Sequence, residues 1–196
     1  MKLDDIKPTR TRAMPTLNKK QASVRLSKAQ KNAIAMREQL WPNLGKDQLW
    51  DRKVNNGFTT IPRTMPLLME IISDASKRVT TGKSVPAGRA YLVLWCRVFD
   101  ESFVKIESDA TFAMEAGYIG ERNVSTWREH LRVLKELGFI DYAPGPAGPN
   151  QYVLLFNPYS AVKTLKNKNW IQTDAYNALY QRALDIGADT ELKEAN

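Results

Sequence analysis

One polar helix that the sequence predicts opens with side chains suited to hydrogen bonding. In chain order the candidate residues are Arg122, Asn123, Ser125, Thr126, Arg128 and Arg132. Arginine can donate two hydrogen bonds to guanine, asparagine can pair with adenine, and hydroxyl groups can bind phosphate or either base. The first turn of a helix also favours phosphate, because its N–H groups are free and its dipole is positive there. These residue types at this spacing predict contact with the major groove of double-stranded DNA.

An apolar seam runs along the opposite side of the same helix. At about 3.6 residues per turn, Val124, Trp127, Leu131 and Leu134 share one side. Gly138 should end the helix, since glycine adopts the left-handed conformation without strain. The segment is therefore predicted to pack on one side and to leave the other side polar.

The elements around this helix follow a definite order of helices and strands. Apolar spacing and capping residues predict helices at 64–77 and 87–99, a strand at 103–106, a short helix capped by Ser108 or Asp109, the longer helix at 123–137, and strands at 139–142 and 152–156. The link between the last two strands, "APGPAGPN", is rich in proline and glycine and predicts a hairpin. The expected fold class is α+β.

The stretch "TWREHLRVLKELGFI" resembles the recognition helix of GntR-type bacterial regulators, which belong to the winged helix-turn-helix superfamily. The usual pattern is Thr-Val-Arg-Glu-Ala-Leu, then two residues and Leu, then Gly-Leu-Val or Gly-Leu-Ile. The residues that match in place are Thr126, Arg128, Glu129, Leu131, Leu134, Gly138 and Ile140, whereas Trp127 replaces the usual Val and His130 the usual Ala. The resemblance covers roughly residues 60–157. It implies a winged helix-turn-helix domain that reads a short duplex site.

Two segments depart from that pattern. The corner "GYIGERN", before the recognition helix, is longer than the usual turn of about three or four residues. The wing tip "APGPAGPN" has no lysine or arginine to contact phosphate. This uncharged wing is expected either to stay short of DNA or to meet a protein partner.

The net charge of +8 is concentrated at the N-terminus. Residues 1–40 hold ten basic and three acidic side chains, a net charge of +7, and the other 156 residues carry +1. A basic segment suits a polyanion, because each phosphate that it neutralises releases counterions. Arg10 and Arg12 are predicted to reach a minor groove, where the potential of DNA is most negative. A solubilising tail without a partner is the alternative.

Composition and capping signals divide the chain into four parts. They are a basic flexible arm at 1–26, an N-terminal helix and connector at 27–56, the winged-helix domain at 57–160, and a C-terminal helical extension at 161–196. The N-terminal helix is predicted to begin with a capping box, Ser27 and Gln30. The extension contains a second predicted helix, capped at Thr173.

That C-terminal helix has an apolar stripe with two possible uses. The stripe residues are Tyr176, Leu179, Tyr180 and Ala183. The helix around Tyr176 to Leu184 could pair with a second copy of the chain, because palindromic DNA sites require two-fold symmetric proteins. Packing against the body of the same chain explains the stripe equally well.

Enzymatic chemistry has little support in the sequence. His130, the only histidine, lies beside the apolar seam and is expected to pack or to lie at the surface, and no Cys/His cluster suits zinc. The segment "TTGKSVP" contains Gly-Lys-Ser but lacks the first glycine of a phosphate-binding loop. Cys96 lies in a run of six apolar residues and is expected to be inert core packing. No catalytic residue, metal or cofactor is expected.

The remaining features concern location and function. No apolar run approaches the roughly 20 residues that a membrane-spanning helix needs, and the first residues lack a secretion signal. The chain is thus expected to be cytoplasmic and nucleoid-associated, without membrane contact. The leading hypothesis is a sequence-specific double-stranded DNA-binding protein that acts as a bacterial transcriptional regulator. The alternatives are a replication or maintenance protein of a plasmid or mobile element, and a winged-helix adaptor that binds protein.

Overall fold

The computed structural model describes residues 19–40, 42–43, 57, 59–98 and 102–192, and of residues 19–27, 29 and 30 it describes the backbone alone. Within these residues the fold is α+β. The helices are α1 (Lys19–Leu40), α2 (Met65–Ala75), α3 (Gly88–Arg97), α4 (Asp109–Glu115), α5 (Asn123–Glu136), α6 (Pro158–Asn167) and α7 (Thr173–Ile186). The strands are β1 (Phe103–Lys105), β2 (Ile140–Gly145) and β3 (Gly148–Leu155). The predicted order of elements from α2 to β3 is confirmed.

The three strands form one antiparallel sheet in the order β1-β3-β2. Phe103 lies opposite Leu154, and Ile140 lies opposite Leu155. Strand residues alternate between the two faces, so Val153, Leu155 and the Ile140 opposite it are buried, while Phe103 and Leu154 are exposed. One face of the sheet therefore packs against the helices.

The β2–β3 hairpin is confirmed, but its strands are longer than predicted. Most of the proline- and glycine-rich link belongs to the two strands, and Pro146 and Ala147 remain between them. The buried side chain of Gln151 accepts a hydrogen bond of 3.1 Å from the Ala147 N–H. A Cβ atom on Gly145 would collide with that same Gln151 side chain. The hairpin end is thus held by its own side chains.

The core lies between α2, α3, α5 and the buried face of the sheet. Its largest fully buried side chains are Trp127, Tyr91 and Phe139, and the rings of the last two meet edge to face at 5.3 Å. α2 and α3 approach closely, since a Cβ atom on Gly88 would lie 2.6 Å from that of Met69. The polar α5 is therefore anchored by one face in the centre of the body.

The C-terminal helices belong to the same core. Tyr176, Leu179 and Ala183 of α7 are buried in it, and Tyr180 packs against it half-buried. The apolar stripe thus packs on its own body, which is one of its two expected uses. The predicted cap is displaced by one position, because Gln172 precedes the helix and Thr173 is its first residue.

Three further expectations are corrected or lie outside the described residues. α1 begins at Lys19, so Ser27 lies inside the helix and not at its cap, and the predicted flexible arm overlaps the helix from residue 19. Cys96 is exposed, because it falls on the side of α3 that faces away from the core. Arg10 and Arg12 lie outside the described residues, as does most of the connector.

The helices that the structure describes include none with the length and apolar character needed to cross a membrane.

Candidate functional site

α4 and α5 form a pair of helices joined by a seven-residue corner. Ser108 caps α4, since its hydroxyl accepts a hydrogen bond from the Thr111 N–H. Two glycines in the corner, Gly117 and Gly120, have φ angles of 77° and 89°, in the left-handed region that glycine tolerates. α5 then ends before Gly138, whose φ of 80° confirms the predicted stop. Both ends of α5 are thus defined by backbone conformation.

A single carboxylate ties the start of α4 to the first turns of α5. Asp109 Oδ2 accepts a hydrogen bond of 2.7 Å from Arg128 Nε, and Asp109 Oδ1 accepts one of 3.2 Å from the indole N–H of Trp127. The Asp109 side chain is 12% exposed, so solvent screens these contacts only in part. Asp109 therefore fixes the rotation of α5 relative to α4.

Aromatic packing supports the same junction from the core side. The ring of Trp127 is fully buried and lies 5.6 Å from the ring of Phe112 in α4. The guanidinium of Arg97 in α3 lies over Phe112 at 4.9 Å and also pairs with Glu115. Three helices therefore meet at this point, and α5 has little freedom to shift.

Tyr118 and His130 make a buried hydrogen bond beneath the corner. The tyrosine oxygen lies 2.5 Å from His130 Nδ1, and both residues are at most 9% exposed. Burial lowers the pKa of His130, and the nearby carboxylate of Glu129 opposes that effect. Burial also raises the pKa of Tyr118 to about 12, against a hydrogen bond from the Ala90 backbone and the charge of Arg89. Burial thus favours a neutral imidazole that shares this hydrogen bond with the Tyr118 hydroxyl. His130 packs in the core, which is one of the two positions expected for it.

The residues at the start of α5 are presented to solvent to different degrees. Arg122 is exposed at the N-cap position and makes no side-chain capping bond. Ser125 is also exposed, and its hydroxyl donates to the Arg122 carbonyl at 2.8 Å. Asn123 and Thr126 are half-buried, and Asn123 Oδ1 accepts from the Val124 N–H at 2.6 Å. Arg122 is the most available donor of this group.

The other basic side chains of α5 are paired with carboxylates. Arg132 binds Glu129 at 2.6 Å and Glu136 at 2.5 Å, and these contacts raise the pKa of Arg132. Lys135 pairs with Asp141 of β2 at 2.6 Å and lies over the ring of Tyr142. Since Arg128 is held by Asp109, the exposed face of α5 carries nearly balanced charge. Arg128 and Arg132 would have to give up these partners in order to bind phosphate.

The predicted seam of α5 is confirmed and is wider than expected. Trp127, Leu131 and Leu134 are buried and Val124 is half-buried, while Val133 and His130 are buried beside them.

The sequence did not indicate the contacts that Asp109 and Tyr118 make with α5, since Asp109 was considered only as a cap. Their spacing to α5 carries no local signal, because each contacts it only after the corner has folded.

Comparisons with protein-family models, with curated proteins and with solved structures each found no match to this chain.

Proposed function

We propose that the chain is a winged-helix protein that binds double-stranded DNA sequence-specifically, with α5 as its recognition helix. The observation that carries this proposal is the start of α5, where the side chains of Arg122 and Ser125 are exposed. A helix can enter the major groove only if such groups project from a firmly held support. Asp109 and Trp127 supply that support, and the β2–β3 hairpin would serve as the wing.

The ion pairs on α5 indicate that different helices supply affinity for DNA and specificity for its sequence. The paired arginines leave the helix few groups for phosphate, so α5 would contribute base contacts more than general attraction. α1 has six basic residues and one acidic residue, a net charge of +5 in 22 residues. Residues 1–18 have four basic and two acidic residues, or +2. Most phosphate contacts are therefore assigned to α1.

The biological role that we propose is a bacterial transcriptional regulator, located in the cytoplasm with the nucleoid. A replication or maintenance protein of a plasmid or mobile element would use the same surface. A regulator needs only to occupy its site, whereas a replication initiator also recruits other proteins or melts the duplex. Footprinting the protein on the genome would distinguish them, since regulator sites lie at promoters and initiator sites at an origin.

A protein adaptor is the second candidate, and two observations favour it. The hairpin tip has no basic residue, and Ile119 in the corner is 91% exposed beside the balanced charges of α5. An exposed apolar side chain next to a neutral helix face suits a protein surface better than phosphate. In that case the α4–α5 corner would be the contact.

Selection of bound duplexes from a random pool tests the DNA proposal directly. We expect enrichment of one short motif, and binding of that motif that weakens steeply as salt rises. Recovery of a random pool with no motif would reject sequence-specific recognition. No binding at low salt would reject DNA binding altogether and would favour the adaptor.

A further inference from the structure

Ion pairs engage most of the basic side chains in the elements from α3 to β3. Five of the seven lysines and arginines there pair with a carboxylate, and they are Arg97, Lys105, Arg128, Arg132 and Lys135. The other two, Arg89 and Arg122, have no such partner among the described residues, and both are exposed. An unpaired guanidinium keeps its N–H donors for another acceptor, and its planar shape matches a phosphate.

Both unpaired arginines border the corner between α4 and α5. Arg122 is the last residue of that corner. Arg89, the second residue of α3, lies against its first turn, because a Cβ atom on Gly117 would be 3.7 Å from Arg89 Nη1. Burial raises the pKa of Tyr118 in the corner, and the charge of Arg89 opposes that effect, as expected for a guanidinium near the hydroxyl. The corner thus has one unpaired guanidinium from α3 beside its start and another at its end.

The separation of the two groups suits one groove of a duplex. Gly117 and Arg122 are five residues apart, which corresponds to at most about 18 Å of extended chain. The turn in which the Asn123 N–H donates to the Gly120 carbonyl shortens this distance. Since the major groove is about 12 Å wide, a side chain at the end of the corner can reach base edges while one beside Gly117 reaches the rim of the groove.

We propose that Arg89 binds a backbone phosphate at the rim of the groove that α5 enters, and thereby sets the position of α5 against the bases. This role depends on the proposed function, because it assigns a further residue to the same DNA-binding surface. A phosphate contact carries no sequence information, but it fixes the register of a protein on the duplex. Arg89 is suited to this role because it contacts the corner that leads directly into α5.

Arg89→Gln tests the phosphate contact, because glutamine is polar but carries no charge. We expect it to weaken binding to the selected motif and to a scrambled duplex by a similar factor, about tenfold. The slope of log affinity against log salt should fall by about 0.9. Arg89→Lys keeps the charge, so it should keep the slope and lose less affinity.

Arg182 in α7 provides the matched control. It is exposed, has no carboxylate partner among the described residues, and lies on a helix that packs against α2. Arg182→Gln removes the same charge as Arg89→Gln. It should leave both affinities within about twofold of wild type, because salt screens a charge that lies away from the phosphates.

Four results would overturn the role of Arg89. They are a normal affinity and slope in Arg89→Gln, a loss for the motif alone, an equal loss in Arg182→Gln, and a slope that falls as much in Arg89→Lys as in Arg89→Gln. The first would leave the proposed function intact as long as a motif is still selected. The second would make Arg89 a base contact, the third would reduce it to net charge, and the fourth would mean that the substitution disturbs the corner. A wild-type chain that binds no duplex would reject the proposed function as well.

Discussion

Asp109 at the start of α4 accepts a hydrogen bond of 2.7 Å from Nε of Arg128 in α5. The two residues are 19 positions apart, and the corner between their helices brings them together. The same carboxylate accepts the indole N–H of Trp127. Its removal therefore affects both an exposed ion pair and a polar atom at the edge of the core.

Asp109→Ala should destabilise the protein more than Arg128→Ala. The aspartate change leaves the indole N–H of Trp127 without an acceptor, which costs about 1 to 3 kcal/mol. The arginine change removes a pair whose arginine is 47% exposed, worth less than about 1 kcal/mol. Urea unfolding of both variants measures the difference. An equal or larger loss for Arg128→Ala would mean that the ion pair, not the indole contact, holds the junction.

Trp127→Ala should reduce stability by about 3 to 5 kcal/mol, because it empties the largest fully buried site in the core. Trp127→Phe, which keeps an aromatic ring beside Phe112, should cost clearly less. Thermal unfolding compares the two. A Trp127→Ala protein that melts at the normal temperature would contradict the packing of α5 described above.

The protein should lose stability in mild acid through His130. Burial lowers the pKa of this histidine in the folded state, while its unfolded value is about 6.5. The unfolded chain then binds more protons, so the contribution is complete above about pH 6.5 and declines as the pH falls toward the folded value.

His130→Gln is the control for that pH dependence, since glutamine can still bind the Tyr118 hydroxyl but does not titrate. As the pH falls from neutral to about 5, we expect the free energy of unfolding to decrease more for the wild type than for this variant. Chemical denaturation at several pH values measures it. A difference that is constant with pH would show that His130 is not held neutral.

Arg122→Ala should relax DNA specificity, and Arg132→Ala should not. Both are arginines of the same helix region, but Arg122 is exposed and uncapped whereas Arg132 is held by Glu129 and Glu136. Loss of a good base contact costs about 1 to 3 kcal/mol for the specific duplex only. Binding to the selected motif and to a scrambled duplex gives the comparison. If Arg122→Ala weakened binding to both duplexes equally, α5 would not be the helix that contacts the bases.

Deletion of residues 1–40 should flatten the salt dependence of DNA binding far more than deletion of residues 1–18. The shorter deletion removes a net charge of +2 and the longer one removes +7. The slope of log affinity against log salt reports the number of phosphates neutralised. Similar slopes for the two truncated proteins would place the phosphate contacts before α1.

The amino-acid sequence alone determined the order of elements and the polar and apolar faces of α5. Helix and strand periodicities repeat over a few residues, and capping by Ser108 or termination at Gly138 depends only on neighbouring backbone groups. The length of the two hairpin strands could not be predicted from the sequence, because proline and glycine in the link indicate a turn even where the two strands still pair with each other. These local properties can be predicted without knowing which helices and strands pack against each other.

Tertiary structure decided which of these faces meet and which stay exposed. The stripe of α7 suited two partners equally by spacing, and only the packing of α7 against α2 assigned it to the core. Cys96 stood in an apolar run but falls on the outer side of α3. The arginines of α5 were chemically fit for DNA, but Arg128 and Arg132 have carboxylate partners, and that of Arg128 comes from another helix. Contacts between distant segments depend on the packing geometry of the whole body, which short-range sequence patterns do not encode.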